Sequence, residues 1–191
     1  MVTSVHAYLG LLALVALERV LELILSARNA RLARTRGGVE MGQGHYSVMA
    51  AFHTLFLVAC ALEVLLFRRP FPGVAGWIAL GVVLGAQALR YWAIATLGWR
   101  WNTRIVVIPG AAPVTAGPYR WVRHPNYVAV VLEMLALPLV HGAWMTALVF
   151  SLGNALILRV RIRAEERALG EPWQQAFAGL PRFVPGGQGG H

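Results

Sequence analysis

Residues 46–67 read YSVMAAFHTLFLVACALEVLLF, an apolar run that contains one charged side chain, Glu63. About 20 helical residues cross a bilayer core that is about 30 Å thick, so a run of this length and composition predicts a transmembrane helix. Residues 5–25 and 74–97 form two more runs of comparable length. The sequence therefore predicts an all-α, polytopic integral membrane protein.

Two shorter apolar runs follow towards the C-terminus. Residues 127–140 and 143–160 are separated only by His141 and Gly142. Two apolar helical runs joined by so short a connection predict a C-terminal helical hairpin, and a first arm shorter than a full span is permitted where it is buried against protein. The chain then carries about five transmembrane helices.

The charged residues predict the orientation of these helices. All 17 basic residues are Arg and all 8 acidic residues are Glu, which gives a net charge of +9. Arginines crowd residues 28–36, 98–126 and 159–191, whereas Arg68 and Arg69 lie at the opposite end. Because positively charged loops tend to stay in the cytoplasm, we expect the N-terminus outside a bacterial inner membrane and the C-terminus in the cytoplasm. The same pattern favours contacts with anionic lipid head groups over nucleic-acid binding.

The most informative polar segment is residues 117–127, which read GPYRWVRHPNY. The Gly-Pro pair predicts a turn, and Pro125 biases His124 away from helical geometry. A rigid corner should therefore lead into the fourth helix at about Asn126, which could cap that helix.

The aromatic side chains of this corner allow two interpretations. Tyr119, Trp121 and Tyr127 offer flat faces to an adenine or a sulfonium, and the amides of a helix N-terminus bind a carboxylate. The alternative is an interfacial belt of aromatic and Arg side chains, which composition alone favours.

A second polar segment continues the fifth apolar run and contains Arg159, Arg161, Arg163, Glu165 and Glu166. Helical spacing predicts that Arg161 pairs with Glu165 and that Arg163 pairs with Glu166. A buried pair of this kind could hold a zwitterionic ligand, whereas an exposed one belongs to a solvated helix end.

Ionisable residues at membrane depth form a third group, and such residues are functional candidates by default. They are Glu18, Arg19, Glu22, Glu63, Arg90 and Glu133. Pairing between helices explains most of them equally well, and Arg90 could extend its side chain to the membrane surface. Glu133 follows the His-Pro corner closely, so it is a candidate to orient a polar acceptor.

The sequence offers no metal site. Cys60 is the single cysteine, and His45 and His53 have no second cluster of ligands beside them. One domain over residues 1–185 is expected, followed by a disordered glycine-rich tail at 186–191.

The polar segments together resemble the isoprenylcysteine carboxyl methyltransferase family, whose hallmark is an Arg-His-Pro-x-Tyr corner followed later by a Glu-Glu pair. The resemblance is strongest over residues 85–185. Residues 89–94 and 104–110 are similar to a bacterial branch that is associated with type III polyketide synthases. Members of that branch O-methylate alkylpyrones or alkylresorcinols.

The resemblance implies S-adenosylmethionine as the cofactor and an all-helical fold with a cytoplasmic cofactor-binding loop. The cofactor contacts that it implies are Val114, Tyr119, His124, Pro125, Asn126, Tyr127 and Glu165. It makes Arg161 the substrate-side arginine, with a catalytic role for Arg161 and Glu165: Arg161 would hold the acceptor oxygen as an anion, and Glu165 would fix the polar end of the cofactor.

The function expected from this resemblance is O-methylation of a lipophilic acceptor in the bilayer, with a possible functional link to a type III polyketide synthase. Carboxyl methylation of a prenylcysteine-type substrate and N-methylation of a phospholipid are the enzymatic alternatives. A membrane lipid reductase that binds a nicotinamide cofactor and a non-enzymatic membrane adaptor are two further interpretations.

Overall fold

The computed structural model describes residues 2–41 and 44–183, and this part of the chain is mostly helical. Its five α-helices are α1 (Val2–Arg34), α2 (Gly44–Leu66), α3 (Val74–Leu97), α4 (Pro125–Leu139) and α5 (Trp144–Ala176). The predicted disordered tail at 186–191 lies outside the described residues.

Three of the described helices are long and apolar enough to cross a membrane. They are Tyr46–Leu66, Val74–Arg100 and Trp144–Ala176, and α4 is a shorter apolar helix. The prediction of an integral membrane protein built from helices is therefore confirmed. Five spans remain a prediction, because α1 and α4 are not among these three.

One short ribbon departs from the predicted all-α fold. Strands β1 (Val39–Met41) and β2 (Ile105–Val107) pair antiparallel, with Val39 opposite Val107 and Met41 opposite Ile105. Three residues are too few to produce a readable alternation of apolar and polar side chains, so the sequence pattern could not predict these strands. The ribbon ties the end of α1 to the segment that follows α3.

The predicted C-terminal hairpin is present, and a carboxylate from α2 caps its second arm. Glu63 accepts hydrogen bonds from the backbone N–H of Thr146 at 2.7 Å and of Met145 at 3.3 Å. Arg69 lies 3.0 Å from the same carboxylate. Glu63 therefore satisfies amides at the start of α5 that have no partner inside the helix.

Helix α5 has a break near its end. Gly170 adopts φ 71° and ψ −167°, and Pro172 follows it. A positive φ is readily adopted by glycine, so this position turns the last helical residues, 171–176, in a new direction.

The apolar core lies between the first four helices. It includes Tyr8, Leu12 and Val15 from α1, Phe56, Cys60 and Val64 from α2, Ala79 and Val83 from α3, and Met134 and Leu137 from α4. Cys60 is completely buried. It is thus a small core residue.

Five ionisable side chains on the predicted spans meet in what we call the ion cluster: Glu18, Arg19, Glu22, Arg90 and Glu133. Arg90 Nη2 lies 2.5 Å from Glu133 Oε2, and Arg19 Nη1 lies 3.0 Å from Glu22 Oε2. Glu18 accepts hydrogen bonds from Gln87 and Tyr91.

The ion cluster corrects one expectation. Arg90 is only 4% exposed, so its side chain does not extend to the membrane surface. It joins α3 to α4 through Glu133 instead, because an ionised group away from water needs an opposite charge beside it.

Candidate functional site

A cavity of about 490 Å³ lies where the two polar segments of the chain meet. Its walls come from residues 97–114, from the corner at 119–127 and from α5 between Arg161 and Trp173. Ligand pockets typically have volumes of about 300–1,000 Å³, so this cavity has the size of a cofactor site.

The corner owes its shape to Gly117, which has φ 56°. A Cβ atom at this position would collide with the side chain of Thr96 on α3, so the close approach of the corner to α3 requires glycine. A single 3₁₀ turn follows over Gly117–Arg120 and buries Tyr119 against the cavity wall. Burial raises the pKa of Tyr119, and the nearby Glu165 carboxylate raises it further, so the phenol stays protonated.

The start of α4 differs from the sequence prediction. The helix begins at Pro125, and His124 rather than Asn126 occupies the capping position. Proline fits the first helical position because its missing N–H has no partner there in any case. Asn126 is therefore not the cap, and its side chain lines the cavity.

Asn126 also carries an unsatisfied atom. Its Oδ1 is buried and accepts no hydrogen bond from any residue that the structure describes. A buried acceptor without a donor is unfavourable, so this atom marks a place where a ligand N–H would be stabilised.

Three side chains on the cavity wall form one hydrogen-bonded group, the Tyr127–Arg161–Glu165 group. The Tyr127 hydroxyl donates to Glu165 Oε2 and accepts from Arg161 Nε at 3.1 Å. Arg161 Nε lies 3.8 Å from Glu165 Oε2, which confirms the pair predicted from helical spacing. Arg161 is 3% exposed, so the pair does not belong to a solvated helix end.

Arg161 also fixes the segment that follows α3. Its Nη2 donates to the carbonyl of Thr103 at 3.0 Å. From the other side, Asn29 on α1 donates to the carbonyl of Trp101 at 2.8 Å. Both ends of this short segment are therefore held in place beside the cavity.

A second group of hydrogen-bonded side chains lies behind the corner. His124 Nε2 lies 3.1 Å from Glu166 Oε1, and Arg182 donates to both oxygens of Glu166, at 2.9 and 2.6 Å. The predicted pairing of Glu166 with Arg163 is thus wrong, because a bidentate guanidinium from the C-terminal segment binds this carboxylate instead. Hydrogen bonding to Glu166 raises the pKa of Arg182, which stays charged.

The C-terminal segment is attached to the corner by its backbone as well. The N–H of Arg123 donates to the carbonyl of Pro181 at 3.0 Å, and the N–H of His124 donates to that of Arg182 at 3.3 Å. Trp173 lies over the His124 ring with centroids 5.4 Å apart. We call residues 171–183, which close this side of the cavity, the C-terminal strap.

The cavity brings together most of the residues that the sequence singled out. Val114, Tyr119, His124, Asn126, Tyr127, Arg161 and Glu165 all line it. Pro125 is buried at the start of α4 and does not line it, and neither does Glu133, whose carboxylate belongs to the ion cluster.

Sequence reasoning missed several other lining residues. Asn102, Trp173 and Phe177 contribute to the cavity. The spacing of Trp173 and Phe177 by one helical turn is a signal that could have been read, because i and i+4 side chains share a helix face.

The lining fits the cofactor that the resemblance implies. S-adenosylmethionine carries a sulfonium, an ammonium and a purine with an exocyclic amine. Glu165 offers a carboxylate to positive charge, Asn126 offers an unused acceptor, and Tyr119, Trp173 and Phe177 offer aromatic surface. As for metals, no group of three or more His, Cys, Asp or Glu side chains that could hold an ion occurs within residues 2–41 and 44–183.

Comparison with known proteins gives a match over the same region. A model of the isoprenylcysteine carboxyl methyltransferase family matches residues 77–171. A Bacillus subtilis (strain 168) protein described as uncharacterized protein YpbQ is 41% identical over 162 residues, which cover 84% of this chain and 95% of that protein. An uncharacterized protein of Haemophilus influenzae is 28% identical over 152 residues, covering 79% of this chain and 88% of its own. No solved structure matches the chain.

Proposed function

The chain belongs to the isoprenylcysteine carboxyl methyltransferase family, and from this membership we propose that it uses S-adenosylmethionine to O-methylate a lipophilic acceptor such as an alkylpyrone or alkylresorcinol. The members of this family are methyltransferases, so membership supports a membrane methyltransferase. A single domain over residues 1–185 carries the activity in this proposal, and its acceptor would come from a type III polyketide synthase.

The proposed arrangement in the membrane has five spans. The 33 residues of α1 are long enough to cross, and its Leu14, Leu17 and Leu21 are each 54–55% exposed, as expected for side chains that face lipid. Helix α4, which is shorter, packs between α3 and α5. In this proposal the cavity lies at the cytoplasmic face of a bacterial inner membrane, and the excess of arginines near it supports that orientation.

The observation that carries the proposal is the Tyr127–Arg161–Glu165 group on the wall of a cavity of cofactor size. When bound, S-adenosylmethionine would supply an electrophilic methyl group. Transfer of that group requires alignment of the acceptor more than acid–base chemistry, so a rigid wall of charged and aromatic side chains is sufficient.

Each charged residue of the group has a separate task in this proposal. Arg161 keeps Nη1 without a partner among the described residues, so it can bind the acceptor oxygen and stabilise it as an anion. Glu165, whose side chain is 26% exposed, turns a carboxylate towards the cofactor's positive charge. Tyr127 joins the two and fixes their separation.

Calorimetric titration of S-adenosylmethionine into detergent-purified protein tests the cofactor. Glu165→Gln should weaken binding by about tenfold to a hundredfold, since it removes a charge-assisted contact. Glu171→Gln is the matched control, because Glu171 is exposed on the C-terminal strap and does not line the cavity. Binding of NADPH in place of S-adenosylmethionine would favour the reductase interpretation, and binding of neither cofactor by folded protein would favour an adaptor.

A screen of acceptors tests the second half of the proposal. Long-chain alkylpyrones and alkylresorcinols should be methylated, with the methyl group on oxygen. If the methyl group is transferred to a prenylcysteine carboxylate or to a phospholipid amine instead, the proposed cofactor stands and the proposed acceptor is wrong.

A further inference from the structure

A second cavity, of about 260 Å³, lies between α1, the start of α2 and residues 103–104. Arg31, Arg34 and Arg104 line its polar part, and Leu23 and Ala27 line its apolar part. We call it the arginine pocket. The methyl transfer proposed above uses none of these residues.

The positive charge of the arginine pocket is only partly neutralised. Glu40 lies 3.3 Å from Arg34 and 2.9 Å from Arg104, so one carboxylate serves two guanidiniums. None of the described residues forms an ion pair or a hydrogen bond with the guanidinium of Arg31. These four side chains therefore leave a net charge of +2, which favours a bound anion.

The geometry of the three arginines favours a phosphate group. A guanidinium has five N–H donors, and Glu40 uses one each from Arg34 and Arg104, so most donors remain free. A planar guanidinium can donate two parallel hydrogen bonds to two oxygens of one phosphate, and it is more weakly hydrated than an ammonium. The ring of Tyr46 lies 4.7 Å from the Arg104 guanidinium and supports it from one side.

The apolar part of the pocket favours a lipid as the source of that phosphate. From Leu23 to Arg34 the pocket follows α1 for 11 residues, or about 16 Å. Leu23 belongs to the predicted first span, and Arg34 lies beyond it. An amphiphile can place its acyl chains beside Leu23 and its phosphate beside the arginines, whereas a free phosphate ion makes no use of the apolar part.

We propose that the arginine pocket binds the phosphate group of an anionic membrane lipid. The bound lipid would also steady the main cavity: Thr103 lines the pocket while its carbonyl accepts a hydrogen bond from Arg161, and Arg104 lines both cavities. Lipid binding in this pocket does not depend on the identity of the methyl acceptor.

Native mass spectrometry of the detergent-purified chain tests the proposal with three probes. These are dioleoylphosphatidylglycerol, dioleoylphosphatidylcholine at the same mole fraction, and inorganic phosphate. The variants are Arg31→Gln, Arg31→Lys and the control Arg28→Gln, which removes the same charge from an exposed position one turn earlier on α1. Thermal unfolding in detergent should show that all three variants are folded.

We expect the wild-type chain and Arg28→Gln to retain phosphatidylglycerol, and Arg31→Gln to retain about fivefold to tenfold less. Arg31→Lys should fall between them, because it keeps the charge and loses the planar fork. Equal losses for Arg28→Gln and Arg31→Gln, or equal retention of phosphatidylcholine, would overturn the proposal in favour of general surface attraction. If inorganic phosphate binds as tightly as phosphatidylglycerol, the pocket binds free phosphate rather than a lipid, and the proposal is overturned.

Discussion

The Tyr127–Arg161–Glu165 group and the ion cluster both join ionisable side chains from different helices, but only the first lines a cavity. None of the five cluster residues lines either of the two cavities described above. In the group on the cavity wall, Arg161 keeps a free nitrogen, and the neighbouring Asn126 keeps a free acceptor. Arg19, Glu22 and Arg90 in the ion cluster also keep buried atoms without a hydrogen-bond partner among the described residues, so the two regions differ in their access to a cavity.

The two regions also differ in what they connect. The ion cluster joins α1, α3 and α4 through three Glu and two Arg side chains, and Arg90 bridges Glu22 and Glu133. The group on the cavity wall joins α4 to α5 and reaches the segment after α3 through Thr103. We therefore propose that the cluster serves stability and that the cavity wall carries the proposed methyl transfer.

The largest expected effect is a loss of stability when Glu133 of the ion cluster is replaced. Glu133→Ala leaves Arg90 buried without its nearest carboxylate, which should lower stability by about 3–5 kcal/mol. Thermal unfolding in detergent measures the change, with Glu171→Ala as an exposed control that should stay within about 0.5 kcal/mol. The double variant Arg90→Met, Glu133→Leu should recover part of the loss.

Suppose that the Glu133→Ala protein is stable and binds S-adenosylmethionine but no longer methylates its acceptor. This outcome would contradict a purely structural role for Glu133. Glu133 would then have the role in acceptor binding that its position after the His-Pro corner suggests.

The next effect concerns the rate of methyl transfer. Arg161→Ala should lower kcat/KM for the acceptor by about 10²–10³-fold, because it removes the donor that stabilises the acceptor oxygen. Arg159→Ala, which removes an exposed arginine two residues earlier, should leave the rate unchanged. Full activity of Arg161→Ala would remove this residue from the chemistry.

The sequence predicted the helices and the composition of the cavity wall better than the partners of single side chains. The helices follow from runs of apolar residues, and the Arg161–Glu165 pair follows from spacing within one helix. The partner of Glu166 could not be predicted in this way, because Arg182 reaches it only through the break at Gly170 and the course of the strap. The pairing of Arg90 with Glu133 likewise depends on how two helices pack.

A smaller effect is expected from the C-terminal strap. Arg182→Gln removes both charge-assisted hydrogen bonds to Glu166, so the strap and His124 should become less rigidly held beside the cavity. We expect the dissociation constant of S-adenosylmethionine to rise about fivefold to tenfold, with a smaller change in kcat. Calorimetry measures the affinity, and Arg182→Lys should restore part of it. Unchanged affinity in Arg182→Gln would make the strap irrelevant to the cofactor.

The smallest expected effect is at Asn126, where a change in cofactor affinity should occur without a change in stability. Because Asn126 Oδ1 accepts no hydrogen bond from the described residues, Asn126→Ala removes no contact of that atom within the protein and should change stability by no more than about 0.5 kcal/mol. If the cavity binds the cofactor, the same change should raise the dissociation constant of S-adenosylmethionine about fivefold, the value of one hydrogen bond. Thermal unfolding and calorimetry on one preparation give both numbers. A loss of stability without a loss of affinity would mean that Asn126, like the ion cluster, serves the fold.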